Sequence, residues 1–107
     1  MSDRVKRYLP VLKRIRKLGN KVRREFIRKC DKDFIDCVSE CALNLLKGNV
    51  PLTKRQMTNL RRKRQDLRAL SKKKTSMRAK RKIVQKGGFL PALLPPVLSV
   101  LTSLFSN

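Results

Sequence analysis

The chain has 107 residues, and 29 lysines and arginines against seven aspartates and glutamates give it a formal net charge of +22. A chain of this length forms one domain with a small hydrophobic core, which excludes a multidomain enzyme. Because so large a positive charge repels itself, it predicts a polyanionic partner: nucleic acid, an anionic membrane surface or an acidic protein. The sequence contains no histidine. Since the commonest general base is therefore missing, we expect a protein without enzymatic activity and without a cofactor.

The charge is divided into blocks that predict the domain organisation. Residues 1–29 carry a net charge of +10, residues 30–53 one of −2, residues 54–86 one of +14, and the remaining residues none. We expect a small helical bundle with a basic lead-in over residues 1–53. A protruding basic helical arm, here called the basic segment, is expected over residues 54–86. A Gly-Gly junction and an uncharged hydrophobic tail, together called the tail, occupy residues 87–107.

The predicted fold class is all-α, with a bundle of three or four short helices, since no stretch alternates apolar and polar residues long enough for a strand. A first helix is expected from Pro10 to near Leu18, and a second after Asn20. The third helix is the best defined, because Asp31 is a typical N-cap residue and an apolar stripe continues until Gly48. This stripe consists of Phe34, Ile35, Val38, Cys41, Ala42, Leu45 and Leu46. It predicts that the third helix forms the centre of the core.

A fourth helix is expected at the start of the basic segment. Thr53 and Gln56 have the spacing of a capping box, in which each side chain bonds to the backbone amide of the other residue. The helix has a narrow apolar stripe at Met57, Leu60, Leu67 and Leu70. Residues 71–76 interrupt it, and a continuation is expected to end at Gly87.

The basic segment is the predicted binding site. Its cations suit the phosphates of duplex DNA, whose charges recur every ~1.7 Å. Few asparagines and glutamines accompany them, so we expect strong binding with little sequence preference. The alternatives are a solvated basic face, a nuclear-localisation run at residues 61–64, and binding of an acidic protein or anionic lipid. The predicted nucleic-acid-binding residues are Lys54, Arg55, Arg61, Arg62, Lys63, Arg64, Arg68, Lys72, Lys73, Lys74, Arg78, Lys80, Arg81, Lys82 and Lys86.

Cys30, Cys37 and Cys41 raise the question of a zinc site. A structural zinc ion needs four ligands, and the sequence has no fourth cysteine and no histidine to complete the set. We therefore expect the cysteines to pack in the core and to bind no metal. The acidic residues between positions 31 and 40 are expected to offset nearby cations and a helix dipole.

The tail has no charged residue. As one continuous helix, residues 89–105 would rise about 25 Å, short of the roughly 30 Å of a hydrocarbon core, and their prolines weaken such a helix. We prefer three interpretations of the tail to a spanning anchor: a membrane-interface segment, a self-association patch, or a strip that covers the helical core.

Two stretches resemble known viral proteins. The junction QKGGFLPALLP (85–95) resembles the C-terminal half of the adenovirus core protein X precursor (pre-mu), where an Arg-rich DNA-condensing segment leads through Gly-Gly into a Leu/Pro-rich tail. The stretch ECALNLLKGNVPLTKRQ (40–56) is similar to small basic proteins of Polinton/Maverick elements and of adenovirus-like (adintovirus-type) animal viruses.

This resemblance implies a nonenzymatic virion core protein that binds and condenses double-stranded DNA, in the virion core and in the host nucleus during assembly. It also implies cleavage by an adenovirus-type cysteine protease after Gly87 and Gly88, at the bond to Phe89. The alternative function is a membrane-active or membrane-anchored minor virion protein that uses the tail and the basic segment. We also expect residues 89–107 to contact a membrane or a capsid protein, and the protein to associate with itself.

Overall fold

The computed structural model describes residues 2–105, with the side chains of residues 2–103. This part of the chain folds into α-helices joined by short connections and contains no strand, which confirms the predicted all-α fold class. The helices in chain order are α1 (Asp3–Arg7), α2 (Leu9–Arg16), α3 (Asn20–Lys29), α4 (Lys32–Leu46), α5 (Lys54–Arg61), α6 (Arg64–Ser71), α7 (Met77–Gln85) and α8 (Phe89–Phe105). Together they form a body that measures 36 × 26 × 26 Å.

Helix α4 lies at the centre of the core, as its apolar stripe predicts. The Asp31 side chain accepts a 2.9 Å hydrogen bond from the backbone amide of Phe34, and this cap begins the helix. Gly48, with φ of 78°, lies in the turn that follows, where a left-handed conformation favours glycine. The buried residues of α4 are Phe34, Ile35, Cys37, Val38, Cys41, Ala42 and Leu45. Leu46 was expected in this set but is 40% exposed, because it lies at the end of the helix.

The basic segment does not protrude as predicted. It divides into α5, α6 and α7, and these helices pack on α4 and α8. Leu60, Leu67 and Leu70 are buried, and so are Ile83 and Val84. Removing these side chains from water favours the packed arrangement over a free arm.

The ends of these three helices follow the local sequence signals. The capping box of Thr53 and Gln56 is present, with hydrogen bonds of 3.0 and 3.1 Å. The predicted interruption at residues 71–76 is also present, and the Ser76 side chain accepts a hydrogen bond from the amide of Ala79 to begin α7. The turn between α5 and α6 was not predicted, since the apolar stripe passes through it without a glycine or proline.

The tail forms helix α8, which is part of the core. Of the interpretations offered by the sequence, the strip that covers the helical core is the one observed. α8 packs against α2, α4, α5 and α7. Its buried residues include Phe89, Leu90, Leu93, Leu94, Val97, Leu98 and Leu101.

The prolines do not prevent this helix. Pro91 lies in the first turn, where no intrahelical partner is lost, whereas Pro95 and Pro96 lie inside the helix. Burial of each leucine or phenylalanine stabilises the fold by roughly 1.5–3 kcal/mol, and the sum over α8 outweighs two missing hydrogen bonds. Among the described helices none is both long and apolar enough to cross a membrane alone, and only the pair Met77–Gln85 and Phe89–Ser103, bent by 88°, meets the length and composition requirements together.

Candidate nucleic-acid interface

Positive charge covers the outside of the molecule. Of the 29 lysines and arginines, 24 are exposed, three are half-buried and two are buried. α8 alone among the described helices carries none of them. Every other helix except α3 packs on α4 or α8, and α3 packs on α7, so the cationic helices surround α4 and α8.

Carboxylates neutralise few of these cations. Six of the seven acidic residues lie within residues 3–40, which leaves Asp66 as the one carboxylate beyond that point. The ion pairs of residues 2–103 are Arg4–Asp33 at 3.1 Å, Arg28–Glu25 at 2.6 Å, Lys29–Glu25 at 3.4 Å and Lys86–Asp66 at 3.0 Å. Most of the cationic surface therefore faces solvent without an opposite charge.

Most of the predicted binding residues are exposed. Lys63 is half-buried, and Lys86 is exposed but paired with Asp66. The exposed members of the predicted set are Lys54, Arg55, Arg61, Arg62, Arg64, Arg68, Lys72, Lys73, Lys74, Arg78, Lys82 and Lys86. They lie on α5, α6 and α7 and in the connections between them, except Lys86, which follows α7.

Arg81 and Lys80 do not fit the predicted role. The Nη1 atom of Arg81 donates hydrogen bonds of 2.7 Å to the carbonyl oxygens of Ile27 and Cys30, at the end of α3. Lys80 is only 9% exposed. The sequence holds a signal for this, since Lys80 lies three and four residues before the buried Ile83 and Val84 and therefore shares their helix face. A count of charges does not reveal which cations lie on the apolar side.

A second cationic site was missed by the sequence analysis. Lys13, Arg16 and Lys17 project beside a groove of about 540 Å³ between α2, α5 and α8. Gln56, Pro95, Leu98, Ser99 and Thr102 complete its lining, and we call it the cationic groove. Two hydroxyl groups thus accompany three positive charges, which is a suitable donor set for phosphate oxygens. The signal was present as the i, i+3, i+4 spacing of the three cations, which places them on one side of α2 and its C-cap.

The cysteines differ in their burial. Cys37 and Cys41 are fully buried in α4, and Cys30 is half-buried at the end of α3. A hydrogen bond with Cys37 and burial raise the pKa of the Cys41 thiol well above its ordinary value. Within the described residues no three Cys, Asp or Glu side chains are grouped so as to hold a metal ion.

The predicted cleavage site occupies the turn between α7 and α8. Cleavage requires an extended, accessible backbone, but here the amide of Phe89 donates a 3.1 Å hydrogen bond to the carbonyl of Lys86. Gly88 is exposed, whereas Phe89 and Leu90 are each 1% exposed. A protease therefore reaches the Gly88–Phe89 bond only after the first turn of α8 leaves the core.

Comparison of the chain with protein-family models, with curated proteins and with solved structures finds no match.

Proposed function

We propose that this protein binds and condenses double-stranded DNA without sequence specificity and without enzymatic activity. The observation that carries the proposal is the exposure of 24 lysines and arginines around the molecule, few of which are paired with carboxylates. Such a surface releases counterions from a phosphate backbone when it binds, and this release supplies most of the affinity of nonspecific DNA binding.

The low sequence preference follows from the kind of contacts available. Lysine and arginine bind phosphates at many orientations, whereas base reading needs side chains held in fixed positions in a groove. On α5, α6 and α7, Asn59 and Gln65 are the exposed amide side chains. These features favour backbone contacts over base recognition.

Condensation requires one protein to touch more than one duplex segment. The cationic groove lies beside α2 and α8, whereas the cations of α6 lie on a helix that packs on α4. Two differently placed cationic surfaces on a body about 36 Å long allow one molecule to bridge neighbouring duplexes. Bridging and charge neutralisation together favour compact DNA.

A place in the core of a virion, and in the host nucleus during assembly, is part of this proposal. It is supported by the resemblance of residues 85–95 to the adenovirus core protein X precursor and of residues 40–56 to small basic proteins of Polinton/Maverick elements and adenovirus-like viruses. The burial of α8 in the core favours DNA over a membrane as the main partner, because the apolar side chains of α8 are already covered by the protein itself.

Salt dependence tests the proposal directly. If about seven cations meet phosphates, the logarithm of the binding constant for a short duplex falls with the logarithm of salt concentration at a slope of about −6. Duplexes of unrelated sequence should bind within about twofold of one another at fixed salt. Light scattering should show compaction of long DNA as protein neutralises its charge.

Three results would contradict the proposal. They are a slope near zero, a strong preference among duplexes, and binding to anionic phospholipid vesicles that is tighter than binding to duplex at the same salt. The last result would instead favour the membrane-active alternative.

A further inference from the structure

A second surface of the molecule is apolar. Five large hydrophobic side chains are exposed among the described residues, and they form two groups. Val22 and Phe26 lie on α3, whereas Leu43, Leu46 and Met57 lie at the end of α4 and on α5. The second group borders a groove with arginines of α5 and α6 at its edge.

This apolar groove, of about 240 Å³, runs between the end of α4 and helices α5 and α6. Its apolar lining includes Leu46, Leu52, Met57 and Leu60. Met57 is 47% exposed and Leu46 is 40% exposed, and Leu43, one helical turn before Leu46, extends the patch at 36%. Clustered exposure of this kind marks an interaction site more often than scattered hydrophobic residues do.

The charged residues at the edge of the groove indicate which kind of partner fits it. Arg61 and Arg64 also line it, both are exposed, and neither forms an ion pair in the described part of the chain. No acidic residue lines the groove. An occupant therefore needs apolar side chains for the floor and carboxylates for the edge.

We propose that the apolar groove binds an acidic amphipathic helix of a partner protein, with its apolar face on Leu46 and Met57 and its carboxylates beside Arg61 and Arg64. A helix with apolar residues at i, i+3, i+4 and i+7 presents a stripe that suits such a groove. A second copy of this chain fits poorly, because each copy carries +22 and would place arginines against arginines. Nucleic acid fits the arginines but has no apolar stripe for the floor.

The probe must separate groove binding from the general attraction of acidic peptides to a basic protein. We would use a labelled helical peptide of about 18 residues, with leucines at i, i+3, i+4, i+7 and i+11 and glutamates on both flanks. A peptide of the same composition in scrambled order is the control. In about 0.3 M salt, where the screening length falls to roughly 6 Å, the ordered peptide should bind at least about tenfold tighter than the scrambled one.

Substitutions on the surface locate the site. The double variant Leu46→Gln, Met57→Gln should weaken binding of the ordered peptide about tenfold, since it removes two exposed apolar contacts without changing charge. Glutamine has a helix propensity close to those of leucine and methionine, so the fold should be retained. Val22→Gln, on the other exposed apolar group, is the matched control and should have no effect.

A second pair of variants tests the charged edge. Arg61→Gln should weaken binding of the ordered peptide by several fold. Arg62→Gln removes the same charge from the neighbouring residue, whose side chain does not line the groove, and should leave binding unchanged. Equal binding of the ordered and scrambled peptides, or equal effects of Arg61→Gln and Arg62→Gln, would overturn the proposal.

DNA binding separates this inference from the proposed function. Leu46→Gln, Met57→Gln should leave duplex affinity and its salt slope unchanged. If the double variant loses duplex affinity, the apolar groove is a nucleic-acid surface and the acidic-helix proposal is overturned.

Discussion

The guanidinium of Arg81 lies 2.7 Å from the carbonyl oxygen of Cys30 and joins α7 to the end of α3. The same Nη1 atom donates to the Ile27 carbonyl at 2.7 Å and lies 3.2 Å from the Cys30 sulfur. The last carbonyl groups of a helix have no partner within the helix, and a cation there also compensates the negative end of its dipole. Arg81 is therefore a structural residue within the basic segment.

We predict that Arg81→Gln lowers the free energy of unfolding by about 2 kcal/mol, because it leaves two carbonyl groups without a charged donor. Lys82→Gln, at the exposed neighbouring position, should change it by less than about 0.5 kcal/mol. Thermal or urea unfolding measures both values. A stable Arg81→Gln variant with reduced DNA affinity would show instead that Arg81 contacts DNA.

The cationic groove provides the second prediction. In the triple variant Lys13→Gln, Arg16→Gln, Lys17→Gln, the slope of log K against log salt should become less negative by up to about 2.7, because three phosphate contacts are lost. The groove is lined by these three side chains together with the Ser99 and Thr102 hydroxyl groups. Titration of a short duplex at several salt concentrations gives the slope.

A triple variant of equal charge is the control for that experiment. Lys6, Arg7 and Lys32 are exposed on α1 and at the start of α4, in the half of the chain that holds six of the seven acidic residues. Their replacement by glutamine should change the slope less, because carboxylates nearby lower the phosphate attraction of that surface. Equal losses from both triple variants would show that net charge alone decides binding.

The third prediction concerns the buried cysteines. Cys37→Ala, Cys41→Ala should lower the free energy of unfolding by about one to three kcal/mol through lost burial, and DNA affinity should stay unchanged. In the native protein the Cys41 thiol should react slowly with a thiol reagent at pH 8, because its hydrogen bond with Cys37 and its burial raise its pKa. Stoichiometric zinc in the purified protein, lost with the fold in the variant, would contradict the packing role.

The sequence predicted the parts of the fold that depend on local signals. Asp31 and the stripe that follows it indicate α4, and the spacing of Thr53 and Gln56 indicates the start of α5. These signals suffice because a cap and a helix face involve residues that are close in the chain. The short helix α1 was missed, although its Val5 is fully buried, since five residues provide no periodicity.

The parts that depend on tertiary packing were not predictable in the same way. The charge of residues 54–86 suggested a free arm, but Leu67 and Leu70 are buried and hold α6 against α4. The prolines of residues 91–96 argued against a helix, yet α8 forms because the neighbouring helices bury its apolar side chains. Which arginines face solvent is likewise decided by contacts between distant helices, as Arg81 and Cys30 show.

The Gly88–Phe89 bond provides the last prediction. We expect the folded protein to be cleaved there slowly by an adenovirus-type cysteine protease, because Phe89 and Leu90 are buried in α8. A peptide covering residues 80–95, which has no core to bury them, should be cut readily. Leu93→Ala removes a fully buried side chain from the same helix and should cost about 2–5 kcal/mol of stability, so that cleavage accelerates on the order of tenfold or more.

Two variants control this experiment. Ser99→Ala, at an exposed position of α8, should leave the cleavage rate unchanged. Gly88→Val should block cleavage without unfolding the protein, because a Cβ at Gly88 meets only the flexible end of the Lys63 side chain, 3.0 Å from its Nζ atom. Mass spectrometry of the products identifies the bond that is cut. Cleavage of the folded protein as fast as of the peptide would show that α8 does not protect the bond, and a cut at another position would show that the Gly-Gly turn is not the processing site.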